Sequence, residues 1–228
     1  LDTATTAHPL LLTSKDLHSA WFNSAGFVQV ESLTHLPDKC VIHRIDGTPS
    51  GLIFEDIFRL RRLLLPPATA DERLRSLAPY MRHLWSCGIT AVHSNESVED
   101  LQVVRRALER STDRVRVLQN LVFDSPGELL AGAEAFGESL PAWLCTGGAK
   151  LFLDGSFGTL TAAVSNAYDG TDDHGLLTMD RSDLDDWLAA AAEVGVPAVM
   201  HAIGDHAVEL ALEGLSRHAA GAAWASQS

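Results

Sequence analysis

Residues 147–161 read Gly-Gly-Ala-Lys-Leu-Phe-Leu-Asp-Gly-Ser-Phe-Gly-Thr-Leu-Thr. The run Leu151-Phe152-Leu153 has high strand propensity, and Gly155 ends it. Lys150 and Asp154 bracket that run. Charges held so close to a buried strand are costly unless they are paired, bound to metal or placed at the strand's open end. Gly155 and Gly158 let the backbone approach a second group closely, and Ser156, Thr159 and Thr161 supply hydroxyls. The plainer reading is a strand edge with a solvated lysine and a turn aspartate. Against it stands a second stretch, Val-Pro-Ala-Val-Met-His-Ala-Ile-Gly-Asp over 196–205, where an apolar strand again ends in a titratable side chain, His201. Two strands carrying chemistry at the same end describe an α/β site.

Outward from these stretches the pattern is regular. Strands are expected over 89–93, 115–122, 150–154 and 197–202, and helices over 98–110, 126–136, 180–194 and 205–218. Four successive strand–helix units imply a parallel sheet with right-handed crossovers. On this assignment His93, Lys150, Asp154 and His201 fall at the C-terminal ends of strands, where a (β/α) barrel carries its active site. The long irregular segment over 155–178 fits a functional loop.

Upstream, a strand is expected over 9–13. Ser14 or Asp16 caps a short helix carrying His18, Trp21 and Asn23, with His18 and Trp21 on one face; plain packing is the alternative. Asp46-Gly47 signals a hairpin. From Gly51 a helical stripe of Leu52, Ile53, Ile57 and Leu60 places Glu55 in the first turns of a helix. Another helix over 70–87 stops at Gly88. Residues 219–228 are expected to fray. With no linker in view, residues 1–228 read as a single domain.

The 17 Lys and Arg against 30 Asp and Glu give a formal charge of −13, which disfavours nucleic acid and anionic membrane as partners. No apolar run reaches the ~20 residues needed to span a bilayer. The opening residues lack the basic start and apolar core of a signal peptide, and the chain begins without Met, as a processed or truncated start would. Cys40, Cys87 and Cys145 show no paired spacing, which fits a reducing compartment; the cytoplasm is expected.

A neutral imidazole is a common metal ligand, whereas lysine becomes reactive only when desolvation leaves its amine neutral. Such an amine at Lys150 has two fates. It can take up CO2 to form a metal-bridging carbamate, or condense with a carbonyl substrate as a Schiff base.

Five segments then carry a family resemblance: Asp-Leu-His-Ser-Ala-Trp-Phe-Asn-Ser-Ala from Asp16, Gly-Leu-Ile-Phe-Glu ending at Glu55, Cys-Gly-Ile-Thr-Ala-Val-His ending at His93, Lys-Leu-Phe-Leu-Asp-Gly-Ser from Lys150, and His-Ala-Ile-Gly-Asp from His201. In this order they resemble the amidohydrolase superfamily, family 3, the group of N-substituted formamide deformylase-like proteins. The resemblance implies a (β/α)8 TIM-type barrel and a hydrolase of carbon–nitrogen bonds in amides or N-formyl groups. It implies a divalent metal, zinc above others, and a small amide-like substrate. Lys150 matches the carboxylated, metal-bridging lysine and His201 a metal-ligand histidine; both are expected to be catalytic. His18, Trp21 and Asn23 match a substrate-side loop, and Asp154 and Ser156 suggest a substrate pocket.

The family's His-x-His pair, sixth-strand histidine and eighth-strand aspartate have no match in this sequence. The resemblance therefore implies the middle of such an enzyme, an incomplete barrel covering about strands two to five. Open sheet edges would then favour a homo-oligomer. A non-catalytic half-barrel and a Schiff-base lyase using Lys150 are the alternatives.

Overall fold

The computed structural model describes residues 1–37 and 39–218; the fraying expected for 219–228 lies outside the described residues. The chain divides into two compact units. One comprises Leu1–Pro67, Asp154–Thr178 and Ile203–Ala207; the other comprises Ala68–Leu153, Met179–Ala202 and the chain from Val208.

The first unit holds an antiparallel sheet of β1 (Leu11–Thr13), β2 (Ser19–Phe22), β3 (Val41–Ile45) and β4 (Thr48–Phe54), in the order β1-β2-β4-β3. Helices α1 (Ser24–Glu31) and α2 (Ile57–Leu64) accompany it. The Asp46-Gly47 hairpin forms as expected. Both residues have positive φ, 49° and 79°, as a two-residue turn matched to strand twist requires. Ala20, Phe22, Phe27, Val30, Ile53, Ile57 and Leu60 make the core.

Two helix expectations fail here. The segment bearing His18 and Trp21 is a loop and strand, not a helix. Ala20 and Phe22 point inward and Trp21 outward, a period of two that pairs with β4. Leu52 and Ile53 belong to β4, and the apparent helical stripe runs through Glu55 and Asp56, whose left-handed φ of 60° and 49° separates strand from helix.

The second unit alternates strictly. Helix α3 (Ala70–Ser86) leads to β5 (Ala91–Glu96), α4 (Val98–Arg110), β6 (Arg116–Val122), α5 (Pro126–Ala131), β7 (Leu144–Phe152), α6 (Arg181–Val194) and β8 (Ala198–His201). Helix α7 (Asp205–His218) follows. Helix starts are written in the sequence: Thr69 with Glu72 and Asp180 with Asp183 form capping boxes, and Ser97 caps α4. The four strands are parallel in the order β5-β6-β7-β8. Met81, Leu101, Leu108, Val115, Leu121 and Leu144 pack in one core cluster, and Leu129, Ala149, Ala190 and Ala191 in another.

Two strand boundaries shift. β5 runs on to Glu96, so His93 pairs with Leu118 in mid-strand and does not end it. β7 starts at Leu144, so Lys150 lies near its C-terminal end and does not open it. The Gly147-Gly148 pair, a breaker by local rules, lies inside the strand.

Leu121 is fully buried within its cluster. Leu121→Ala is expected to lower unfolding stability by about 2–5 kcal/mol in urea titrations, whereas the exposed Leu212→Ala should stay within about 0.5 kcal/mol.

Candidate active site

In the second unit the strand register brings Lys150 and His201 together. Lys150 aligns with Val199, and Phe152 aligns with His201 on the neighbouring strand. Alternation puts Lys150, Phe152, Val199 and His201 on one face, opposite to buried Ala149, Leu151 and Leu153. The Lys150 Nζ stands 4.8 Å from the Phe152 ring centroid. The Phe152 and His201 ring centroids are 5.6 Å apart, tilted by 40°. Burial draws the Lys150 pKa below the usual lysine range, favouring the neutral amine. His93 lies on this face too, but four β6 residues earlier, about 13 Å along the strand at 3.3 Å per residue. It is not part of the same cluster.

The first unit brings together residues far apart in sequence. Asp154, 1% exposed, accepts hydrogen bonds from three backbone amides: Ile203 at 3.0 Å, Gly204 at 2.7 Å and Ala163 at 3.0 Å. Its carboxylate therefore organises loops. His18 Nδ1 meets Glu55 Oε2 at 2.8 Å, and the Glu55 amide donates to the His18 carbonyl at 2.9 Å. The Thr161 hydroxyl donates to Glu55 Oε1. Thr159 links Thr161 to Ser156, and the Ser156 hydroxyl reaches Asp16 Oδ2 at 3.5 Å. Asp16 in turn accepts from the His18 amide at 3.1 Å. The Glu55 hydrogen bond, helped by the charges of Glu55, Asp16 and Asp154, raises the His18 pKa against the opposing effect of burial.

The other residues singled out from the sequence divide. Trp21 is 46% exposed on β2. Asn23 is buried, and its amide is saturated: the oxygen accepts from the Leu10 and Gly26 amides, and the nitrogen donates to the Thr5 and His8 carbonyls. It caps α1 and pins the chain's opening residues. The pairing of Glu55 with His18 and with Thr161 was not legible locally, because the two links span 37 and 106 residues.

Among the described residues no three His, Cys, Asp or Glu side chains come together in a way that could hold a metal ion. Lys150, if carboxylated, and His201 make two donors, short of the three protein ligands typical of a catalytic zinc site. These residues fit part of a metal shell and not a whole one.

The second unit is an α/β fold built on a four-stranded parallel sheet. Residues 1–228 match the amidohydrolase family throughout, and the chain belongs to that family. It is 28% identical to Protein LONG AFTER FAR-RED 3 of Arabidopsis thaliana over 93% of this chain and 39% of that one. Among solved structures it is similar to an uncharacterized metal-dependent hydrolase from Pyrococcus furiosus, with 26% identity, a TM-score of 0.62, and coverage of 96% of this chain and 45% of the other. An uncharacterized metal-dependent hydrolase from Pyrococcus horikoshii OT3 shares the fold, with a TM-score of 0.66 at 24% identity over 92% of this chain and 42% of that one. The chain spans 39% and 41% of the length of the curated relatives it matches. No helix among the described residues is long and apolar enough to cross a membrane.

Two outcomes follow from this geometry. Because the folded-state pKa of His18 is raised, its contribution to stability is complete below the unfolded-state value and is lost as pH rises through the folded value. NMR titration should show His18 holding its proton above the usual histidine range, and Glu55→Gln should bring it down. Asp154→Ala leaves three amides without their acceptor, so stability should fall by more than about 3 kcal/mol, with faster hydrogen exchange at Ala163, Ile203 and Gly204.

Proposed function

We propose that this chain forms part of a metal-dependent amidohydrolase, in which Lys150 and His201 help hold a divalent metal, zinc foremost. The reaction is hydrolysis of a non-peptide carbon–nitrogen bond, in an amide or N-formyl group. One observation carries the reading: a half-buried lysine with a lowered pKa shares a sheet face with a histidine on the adjoining strand. A neutral lysine amine adds to CO2 through nitrogen and loses a proton, leaving an N-carboxylate with oxygen donors. When bound, the metal would act as Lewis acid and lower the pKa of water.

The chain's own groups take the remaining roles. The Phe152 ring lies near both the lysine amine and the His201 ring and offers the ammonium form a cation–π contact. His18, whose pKa the Glu55 hydrogen bond raises, is proposed as a substrate contact, with Trp21 and Ser156 as further ones. Asp154 serves this function by fixing its two loops, and Asn23 by fixing the entry to α1. The same neutral amine suits a Schiff-base lyase, which trapping with borohydride and a carbonyl compound would reveal.

Elemental analysis of the purified protein tests the reading. Lys150→Ala and His201→Asn should each weaken metal binding about tenfold or more. Removing CO2 should lower metal content, and bicarbonate should restore it. Full metal loading in Lys150→Ala would overturn the assignment of Lys150, and in His201→Asn that of His201.

A further inference from the structure

The side on which Lys150 emerges is not what strand alternation dictates. At the start of β7, Leu144 is buried in the core and Cys145, opposite Leu118, is exposed on the other face. Continuing by twos, the residues sharing the face of Cys145 would be 147, 149 and 151, and Lys150 would point into the apolar core. The observed arrangement is the reverse: Ala149 and Leu151 are buried, and Lys150 is on the open face with His201.

The register explains the reversal. Gln119 pairs with Thr146, but Leu121 pairs with Ala149, so β7 advances three residues while β6 advances two. One extra residue sits in β7 at Gly147-Gly148, a bulge that inverts the parity of everything after it. An extra residue leaves a backbone amide without a ladder partner, and a buried one needs another acceptor. Asn120 supplies it. Its side-chain oxygen accepts from the Gly148 amide at 3.2 Å, while its nitrogen donates to Asn95 Oδ1 on β5 at 2.9 Å. Asn120 is 5% exposed. Both glycines are required by space: a Cβ at Gly147 would collide with the Asn120 oxygen, and one at Gly148 with the Pro197 carbonyl.

We propose that Asn120 is the positioning residue for Lys150: by capturing the Gly148 amide it holds the bulge that turns Lys150 onto the face of His201. Its bearing on the reaction rests on the role proposed for Lys150 above, but the positioning itself does not. Asn120 touches no reacting atom in this arrangement and acts through the backbone of Gly148.

The chain has three lysines, Lys15, Lys39 and Lys150, so reductive methylation with 13C-formaldehyde gives a spectrum in which each can be assigned. In the metal-free protein the Lys150 methyls should be shifted upfield by the Phe152 ring beneath them. Asn120→Ala should abolish that shift while leaving Lys15 and Lys39 unmoved. Asn120→Asp, which keeps an oxygen toward Gly148, should retain it. Should the alanine variant fail to fold, Asn120→Ser, whose hydroxyl stops short of the amide, takes its place with the same expected loss. An unchanged Lys150 shift in the alanine or serine variant overturns the proposal, and so does equal loss in the aspartate variant. Metal loading in Lys150→Ala reports separately on the ligand role, so the two ideas fail by different measurements.

Discussion

The first unit depends on one buried carboxylate. Asp154 accepts from the amides of Ala163, Ile203 and Gly204, so a single side chain satisfies backbone groups from two turns that are forty residues apart. A carboxylate out of water is tolerated only with such partners, and amides in a buried turn need an acceptor. Each requirement meets the other. The glycines flanking this anchor follow from the same crowding: a Cβ at Gly204 would strike the Ala163 backbone, and one at Gly155 would strike Thr161 and Glu55. The Asp-Gly-Ser and Ile-Gly-Asp sequences are therefore two parts of one packing solution.

Around that anchor a chain of polar groups links His18, Glu55, Thr161, Thr159, Ser156 and Asp16. Glu55 holds its place in a left-handed conformation that a side chain normally avoids, at a cost of about 1–3 kcal/mol. It accepts from both His18 and Thr161 in return, and its own amide bonds the His18 carbonyl. The strained backbone of Glu55 is thus held by hydrogen bonds on both its side chain and its amide.

The second unit holds a different feature, a half-buried lysine on an open sheet face. A lysine amine near an aromatic ring and partly out of water loses some of its preference for charge. Cation–π attraction to Phe152 works the other way, favouring the ammonium. The amine is thus partly withdrawn from water beside an aromatic ring.

Much of this was legible in the sequence where local rules act alone. The helix over 98–110 and the one over 205–218 match their expected bounds, because caps and apolar periodicity are written within each segment. The Asp46-Gly47 turn and the parallel succession of strands follow from turn chemistry and from strand–helix alternation. What failed locally failed for a stated reason: Ser19–Phe22 pairs with β4 from across a loop, and Glu55 and Asp56 break a periodicity that composition alone would continue. The sequence determined that Lys150 and His201 belong to successive parallel strands, with His201 ending its own. Only the tertiary structure decided that they share a face, because the parity of β7 is set by a bulge whose amide is satisfied by Asn120 on another strand.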